Sequence, residues 1–334
     1  MSKTIKTKPI RIVAMGKYLP QAMSSEALEK KHGLPTGWAM KYSGVQNRHV
    51  ASQESNGWMG ARAADEALQK AEMTLHDIDM LISGGGTYDY PIPNQASVIK
   101  AEMKDGNNCH TPAIDIDSTC LSFVTALDFA AKILDGKAYK NILIVSSEIA
   151  SKGINPANWE TLTLFGDGAA AAVVSYAPGQ SSCYIKGMQR TYSEGVYHTL
   201  IEGGGNRKFF KDYPYDPELH SFQMKGKQLL KLTKKLLPDF MDWFFEDTGY
   251  TLATIDAIVP HQASKLGAAL FQRLFDFAPG QVQTTLAHYG NCIAASIPLT
   301  LMAAIDEGNI QRGDICLLAG TSAGFAIGGV LLRY

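Results

Sequence analysis

Long apolar runs are missing from this chain of 334 residues. A helix that crosses a bilayer needs about 20 mostly apolar residues, and no uncharged apolar stretch approaches that length. An excess of positive charge is also missing, since 31 Lys and Arg residues stand against 32 Asp and Glu residues. A nucleic-acid-binding protein needs a basic surface to meet phosphates. We therefore expect a protein that neither spans a membrane nor binds nucleic acid.

Cysteine is scarce, and no Cys-x-x-Cys pair occurs. An odd number of five cysteines in a chain this long fits reduced thiols better than a disulfide framework, and their spacing matches no zinc pattern. The N-terminal segment 1–16 is basic, but its apolar stretch is too short for a signal peptide. The glycine run at 84–86 lacks the spacing of a dinucleotide loop. We expect a cytoplasmic protein with no metal and no cofactor.

Strands rich in Val, Ile and Leu alternate with helix-like stretches along the whole chain, which predicts a layered α/β fold. Several of the strands are continuously apolar, as expected when helices cover both faces of a sheet. The predicted strands are IRIVAMG, DMLISGG, NILIVSS, AAAAVVSY, AIVPH, ICLLAG and GGVLLRY.

Two blocks of sequence recur in the same order, which indicates two copies of one α/β unit. Residues 78–86 resemble 255–263 at an offset of 177, and residues 129–147 resemble 302–321 at an offset near 172. We therefore predict an N-terminal half over 1–178 and a C-terminal half over 179–334. At these offsets Cys120 falls beside Asn291, so we expect the two to occupy equivalent places that face one central cleft. A chance similarity between α/β segments is the alternative.

The segment that contains Cys120 reads as a strand, a tight turn and an amphipathic helix. Ser118 and Thr119 are good N-cap residues, which would place Cys120 in the first helical turn. The helix dipole and the free N–H groups there favour a thiolate, as a nucleophile requires. A packed core thiol is the alternative interpretation.

His261 and Asn291 are the other candidate catalytic residues. His261 follows a buried strand, and Asn291 stands between a glycine and a helix. Both side chains can hydrogen-bond a thioester carbonyl, although a structural histidine and a helix cap remain the alternatives. Two small-residue turns, FGDGAAAAVV and AGTSAGFAIGG, permit close backbone approach, and the second offers an N–H group to an oxyanion.

Motifs from one end of the chain to the other occur in the order found in a known family. They are YLP, Trp38, SGVQNRHVA, STCLSF, LTLFGDGAAAAVV, VPHQAS, YGNCIAASIP and GFAIGGVLLRY. With these motifs the chain resembles the β-ketoacyl-ACP synthase III family of the thiolase superfamily. The resemblance implies a thiolase-like five-layered αβαβα fold from two duplicated halves, and a homodimer.

The resemblance also implies a role for each candidate residue. Cys120 would be the acylated nucleophile, while His261 and Asn291 would bind the malonyl thioester carbonyl and stabilise the enolate left by decarboxylation. The backbone N–H groups of Cys120 and Ala323 would form the oxyanion hole.

The implied enzyme is an acyltransferase that condenses an acyl primer, delivered by acyl-CoA or acyl-ACP, with malonyl-ACP. This decarboxylative Claisen condensation would serve fatty acid or related secondary-metabolite synthesis. One alternative is non-decarboxylating acyl transfer to an alcohol or amine. Another is a non-catalytic partner subunit that binds acyl chains or the acyl carrier protein.

The residues expected to contact the carrier depart from the family pattern. Trp38 is retained, but Tyr42 and Trp159 stand where relatives that use acetyl-CoA carry arginines for the CoA nucleotide. We therefore expect acetyl-CoA to be a poor primer. Lys231 belongs to a lysine stripe on a predicted helix, completed by Lys227, Lys234 and Lys235. The stripe would dock an acidic acyl carrier protein, unless it is only a solvated helix face.

Overall fold

The computed structural model describes residues 7–334, so the first six residues of the basic N-terminal segment lie outside the described residues. The strands are β1 (Ile10–Tyr18), β2 (Gln21–Ser24), β3 (Asn47–Val50), β4 (Met80–Ser83), β5 (Ala113–Asp115), β6 (Asn141–Glu148), β7 (Gly168–Tyr176), β8 (Cys183–Thr191), β9 (Thr199–Leu200), β10 (Gln223–Met224), β11 (Ala257–Pro260), β12 (Ile315–Ser322) and β13 (Ala326–Arg333). The helices are α1 (Ser25–His32), α2 (Trp38–Tyr42), α3 (Asn56–Lys70), α4 (Gln95–Glu102), α5 (Ser122–Ile133), α6 (Trp159–Leu162), α7 (Gly226–Phe245), α8 (Lys265–Leu274), α9 (Leu286–Tyr289) and α10 (Ser296–Asp306). Over residues 7–334, no helix combines the length and apolar character needed to cross a membrane.

Two sheets of matching topology form the framework. The first has the order β1-β7-β6-β4-β5, and the second has the order β8-β13-β12-β11. In the first sheet β4 is parallel to both β5 and β6, and in the second β11 is parallel to β12. Two antiparallel neighbours then follow in each sheet, β7 and β1 in the first and β13 and β8 in the second. All seven predicted strands are present, and the predicted α/β class is confirmed. The division at residue 178 falls in the turn between β7 and β8, and it stays a prediction.

The sheets and helices stack in five layers. Helices α3 and α4 pack against the outer face of the first sheet, and α7 packs against the outer face of the second. Helices α5 and α10 lie between the sheets, in the largest apolar cluster, which takes side chains from both. This central layer explains the continuously apolar strands, since each sheet is covered by helices on both faces.

At the start of the two central helices, equivalent residues of the two halves are 174 residues apart in the sequence, not 172. Helix α5 begins at Ser122 and α10 begins at Ser296. Each serine hydroxyl accepts, at 2.9 Å, from the N–H group four residues before it, which belongs to Ser118 or to Cys292. The offset of 172 holds only for the Asp-Gly and Glu-Gly ends of these helices, because the turns there differ in length.

The corrected offset changes which residues are equivalent. Cys120 corresponds to Ala294, and Asn291 corresponds to Asp117. The side chains of Asp117 and Asn291 make the same contact, since each accepts from the N–H group two residues further on, at 2.7 and 2.9 Å. The prediction that Cys120 and Asn291 occupy equivalent places is therefore wrong. The offset of 174 instead pairs the cysteine with Ala294.

Candidate active site

Cys120 lies in a tight turn that joins β5 to α5. The turn is a 3-10 helix over Thr119–Leu121, and α5 begins directly after it. The Ser122 hydroxyl accepts from the Ser118 N–H group and donates to the Thr119 carbonyl at 2.7 Å. Ser118 is the N-cap residue of this 3-10 helix, as predicted, although its side chain makes no capping hydrogen bond, whereas Thr119 lies inside the helix. Cys120 therefore lies in a first turn that is 3-10 and is tied by Ser122.

The thiol of Cys120 is protonated in the resting protein at neutral pH. Burial raises its pKa to about 12, although hydrogen bonds from the backbone N–H groups of Ala323 and Cys120 act in the opposite direction. The expectation of a resting thiolate is therefore not met. The same two N–H groups are the predicted oxyanion hole, and that role stays a prediction.

His261 directly follows β11, and its N–H group donates to the Ala319 carbonyl of β12 at 2.8 Å. A Cβ atom on Gly320 would lie 2.6 Å from the Cβ of His261 and 3.5 Å from the Cδ2 of Leu121. The absence of a side chain at Gly320 thus allows the histidine to approach the cysteine turn. Within residues 7–334 the buried Nδ1 of His261 has no hydrogen-bond partner. Burial lowers the pKa of His261 to about 4, so the imidazole is neutral at pH 7.

Asn291 is placed by backbone pairing with the N-terminal half. Its N–H group donates to the Leu164 carbonyl at 2.9 Å, and its carbonyl accepts from the Gly166 N–H group at 3.1 Å. Its side-chain Nδ2 donates to the Ala263 carbonyl at 3.3 Å, two residues beyond His261. The small-residue turn in FGDGAAAAVV therefore serves close backbone approach, as predicted, and it aligns the asparagine with the histidine segment.

Further contacts join the cysteine turn to the remaining segments. The Thr119 hydroxyl donates to the Ala323 carbonyl at 3.2 Å, which fixes the turn between β12 and β13. A Cβ atom on Gly86 would lie 3.4 Å from the Thr119 Cα and 3.6 Å from the Ile293 Cγ2. Gly86, the last glycine of the run at 84–86, thus packs between the cysteine and asparagine turns.

One buried carboxyl group at this place was missed by the sequence reasoning. Glu148 ends β6 with no exposed surface, and burial raises its pKa to about 8. Its Oε1 accepts from the Gly86 N–H group at 2.8 Å and from the Ala294 N–H group at 3.3 Å. The available signal was a single acidic residue that closes an otherwise uncharged strand, a position where an ionisable group needs a specific partner.

The three aromatic residues expected to contact the carrier lie together. The ring centroids of Trp38 and Tyr42 are 3.9 Å apart at an angle of 34°, and Trp159 meets Trp38 edge-on at 5.2 Å. Tyr42 therefore covers a face of Trp38. The Lys265 ammonium group donates to the carbonyls of Met40 and Lys41, in the same helix as Trp38 and Tyr42.

The predicted lysine stripe is exposed on α7, whose leucines pack into the outer apolar cluster. Lys235 lies 3.5 Å from Glu194, and the stripe consists of Lys227, Lys231, Lys234 and Lys235. The helix is therefore amphipathic as predicted. Docking of a carrier protein on its lysines stays a prediction.

Comparison with known proteins agrees with this architecture. The family model described as 3-oxoacyl-[acyl-carrier-protein (ACP)] synthase III matches residues 114–190, and its C-terminal counterpart matches residues 245–334. The β-ketoacyl-[acyl-carrier-protein] synthase III of Neisseria gonorrhoeae is 33% identical over 97% of this chain and 99% of the relative. That of Vesicomyosocius okutanii is 31% identical over 98% of this chain and all of the relative.

A solved structure extends the agreement to three dimensions. The 3-oxoacyl-[acyl-carrier-protein] synthase III of Aquifex aeolicus has a TM-score of 0.86 at 27% identity, covering 98% of this chain and 100% of that chain. The duplicated sheets and the five layers are those of a thiolase fold. Within that class, the chain belongs to the β-ketoacyl-ACP synthase III family.

The buried neutral His261 predicts a pH dependence of stability. As the pH falls, the unfolded chain binds a proton near the ordinary pKa of 6.5, whereas the folded protein does so only near 4. Folding is therefore disfavoured progressively between these values. Relative to His261→Gln, the unfolding free energy of the wild type should fall by roughly 2 to 3 kcal/mol between pH 7 and pH 4.5. Urea titrations of both proteins measure it, and parallel curves would contradict a buried neutral imidazole.

Proposed function

We propose that this protein is an acyltransferase that loads an acyl primer onto Cys120 and condenses it with malonyl-ACP, with loss of carbon dioxide. The observation that carries the proposal is the convergence of Cys120, neutral His261 and Asn291 from three separate segments at one place. The curated relatives named as β-ketoacyl-ACP synthase III support the same reaction. We assign the reaction to fatty acid or related secondary-metabolite synthesis.

The first half-reaction is transfer of the primer to the cysteine. The sulfur of Cys120 attacks the thioester carbonyl, and the backbone N–H groups of Cys120 and Ala323 hold the oxyanion. The carrier thiolate leaves and takes up the proton that the cysteine gives. One thioester is exchanged for another, so the step is near balance in free energy and needs no energy source. A protonated resting thiol requires this proton transfer to accompany the attack.

The second half-reaction joins two carbons. Neutral His261 and the Asn291 amide donate to the thioester oxygen of the malonyl group while its carboxylate leaves as carbon dioxide. The electron pair released forms an enolate, whose carbon attacks the carbonyl of the acyl-cysteine. The β-ketoacyl thioester departs, and the Cys120 sulfur regains a proton. Loss of one such donor costs about 3 kcal/mol in a comparable oxyanion hole.

The aromatic cluster favours an acyl donor that is bound through its acyl chain or its carrier protein, and not through the nucleotide of CoA. Tyr42 covers a face of Trp38, and neither it nor Trp159 offers the paired charged donors with which arginine holds phosphate. The Lys265 ammonium group already donates to two carbonyls, which leaves one of its three donors. A longer or ACP-borne acyl group is therefore favoured, with the lysines of α7 as the docking face for the acidic carrier.

A homodimer is part of this proposal. Strand β5 is the outer strand of its sheet, so its backbone is open to pairing with a second copy. The adjoining segment exposes Tyr90 at 58% and Ile92 at 87%, which a second copy would cover. All five cysteines are unpaired, as a reducing compartment requires, and we place the enzyme in the cytoplasm.

Variants of the three catalytic residues should separate the two half-reactions. Cys120→Ser should abolish acylation, whereas His261→Ala and Asn291→Ala should each lower malonyl decarboxylation by about a hundredfold or more while acylation survives in part. Intact-mass and peptide analysis measures acylation, and release of labelled carbon dioxide measures decarboxylation.

Acylation of Cys109, Cys183, Cys292 or Cys316 with Cys120 untouched would refute the nucleophile. Decarboxylation at the wild-type rate by either the histidine or the asparagine variant would refute its assigned role. An ester or amide product without carbon dioxide would favour the alternative transfer reaction, and no acylation at all would favour a non-catalytic subunit.

Donor preference gives a separate test. Each added buried CH₂ contributes about 0.8 kcal/mol, so four to six extra carbons offset a weak nucleotide grip. We expect kcat/KM to be higher for hexanoyl- and octanoyl-CoA, and for the matching acyl-ACPs, than for acetyl-CoA. Lys231→Glu should lower the values for acyl-ACPs and leave those for acyl-CoAs unchanged. An acetyl-CoA value equal to or above all the others would contradict the prediction.

A further inference from the structure

Glu148 connects two turns that belong to different halves of the molecule. Its Oε1 accepts from Gly86, in the loop after β4, and from Ala294, in the turn that begins with Asn291. Its Oε2 accepts from the Thr87 hydroxyl at 2.5 Å. Gly86 in turn packs against the Cys120 turn, through the Cα of Thr119. One carboxyl group thus joins the asparagine turn to the loop on which the cysteine turn rests.

Each of the two turns that Glu148 connects contains a residue in a strained conformation. Thr119 and Ile293 occupy equivalent positions in these turns, and both have positive φ angles, of 50° and 47°. A β-branched residue is strained in this region and persists there only when its surroundings enforce it. The Ala294 N–H group directly follows Ile293, so the bond to Glu148 acts at the strained position.

We propose that Glu148 is a positioning residue for decarboxylation, which holds the Asn291 turn in register with the Cys120 turn. The inference rests on the proposed function. The bond to the asparagine turn is direct, whereas the cysteine turn is reached only through packing on Gly86. Loss of the carboxyl group should therefore affect the step that needs Asn291 more than the step that needs only Cys120. A glutamine retains an oxygen that can accept from Gly86 and Ala294, so charge itself is not required.

A second carboxylate separates this role from general support of the fold. Asp79 also accepts from two backbone N–H groups, those of Lys140 and Asn141, at 2.6 and 2.9 Å. These partners lie at the start of β6, at the opposite end of the strand from Glu148, and neither belongs to the cysteine turn, the asparagine turn or the aromatic cluster. Asp79→Ala is therefore the control, because it removes the acceptor of two backbone donors without touching the Asn291 turn.

The test compares Glu148→Ala, Glu148→Asp, Glu148→Gln and Asp79→Ala with the wild type. We expect Glu148→Ala to lower malonyl decarboxylation about tenfold or more while the rate of Cys120 acylation changes less than about threefold. Glu148→Asp, which keeps a carboxyl group but shortens its reach, should show the same split and serves as the test if the alanine variant fails to fold. Glu148→Gln should restore both rates, and Asp79→Ala should not change their ratio.

Backbone amide exchange of the peptide 286–300 gives a readout that does not depend on the reaction. It should be faster in Glu148→Ala and Glu148→Asp than in the wild type, and normal in Glu148→Gln. Unchanged exchange together with unchanged rate ratios would overturn the positioning role, as would an equal split in Asp79→Ala. If the wild type decarboxylates no malonyl thioester, the proposed function fails, and the exchange comparison still decides whether Glu148 holds the turn.

Discussion

The active site depends on one backbone contact between the two halves, where the segment before Asn291 lies directly on the segment 164–166. A Cβ atom on Gly166 would lie 2.1 Å from the Tyr289 carbonyl oxygen, so no side chain fits there. Gly290 has a φ angle of 70°, a conformation that glycine adopts without strain. These two glycines let Asn291 pair with Leu164 and Gly166. Without that pairing the asparagine of one half could not face the cysteine of the other.

Near this contact, the equivalent turns that contain Cys120 and Asn291 share their backbone geometry but differ in the groups they present. Both begin with an acidic or amide side chain that accepts from the N–H group two residues later, and both continue through a residue with positive φ. The next position is Cys120 in one turn and Ala294 in the other. The first presents a sulfur with the Ala323 N–H group beside it. The second presents an N–H group to Glu148. In the proposed function, one turn therefore supplies the nucleophile and the other supports the residue that acts on the second substrate.

The sequence was sufficient for the strands, the duplication and the identity of the clustered residues, because these depend on apolar runs and local motifs. It was not sufficient for the register between the halves, because the segment from the start of the central helix to the glycine after it is two residues longer in the first half than in the second. The bond between Glu148 and Ala294 spans 146 residues, so no local pattern reveals it. The contact between Trp38 and Tyr42 was within reach, since residues four apart on a helix are neighbours. The resting state of the Cys120 thiol depends on burial, which outweighs the helix start.

The central claim is that one site transfers an acyl group through Cys120 and then condenses it with loss of carbon dioxide. The most direct measurement is a single turnover in which purified acyl-enzyme meets a malonyl thioester labelled in its free carboxylate. We predict that each acylated Cys120 releases one carbon dioxide and yields one β-ketoacyl thioester, with the free cysteine regenerated. Persistence of the acyl-enzyme, or its loss to another acceptor without labelled carbon dioxide, would contradict the account.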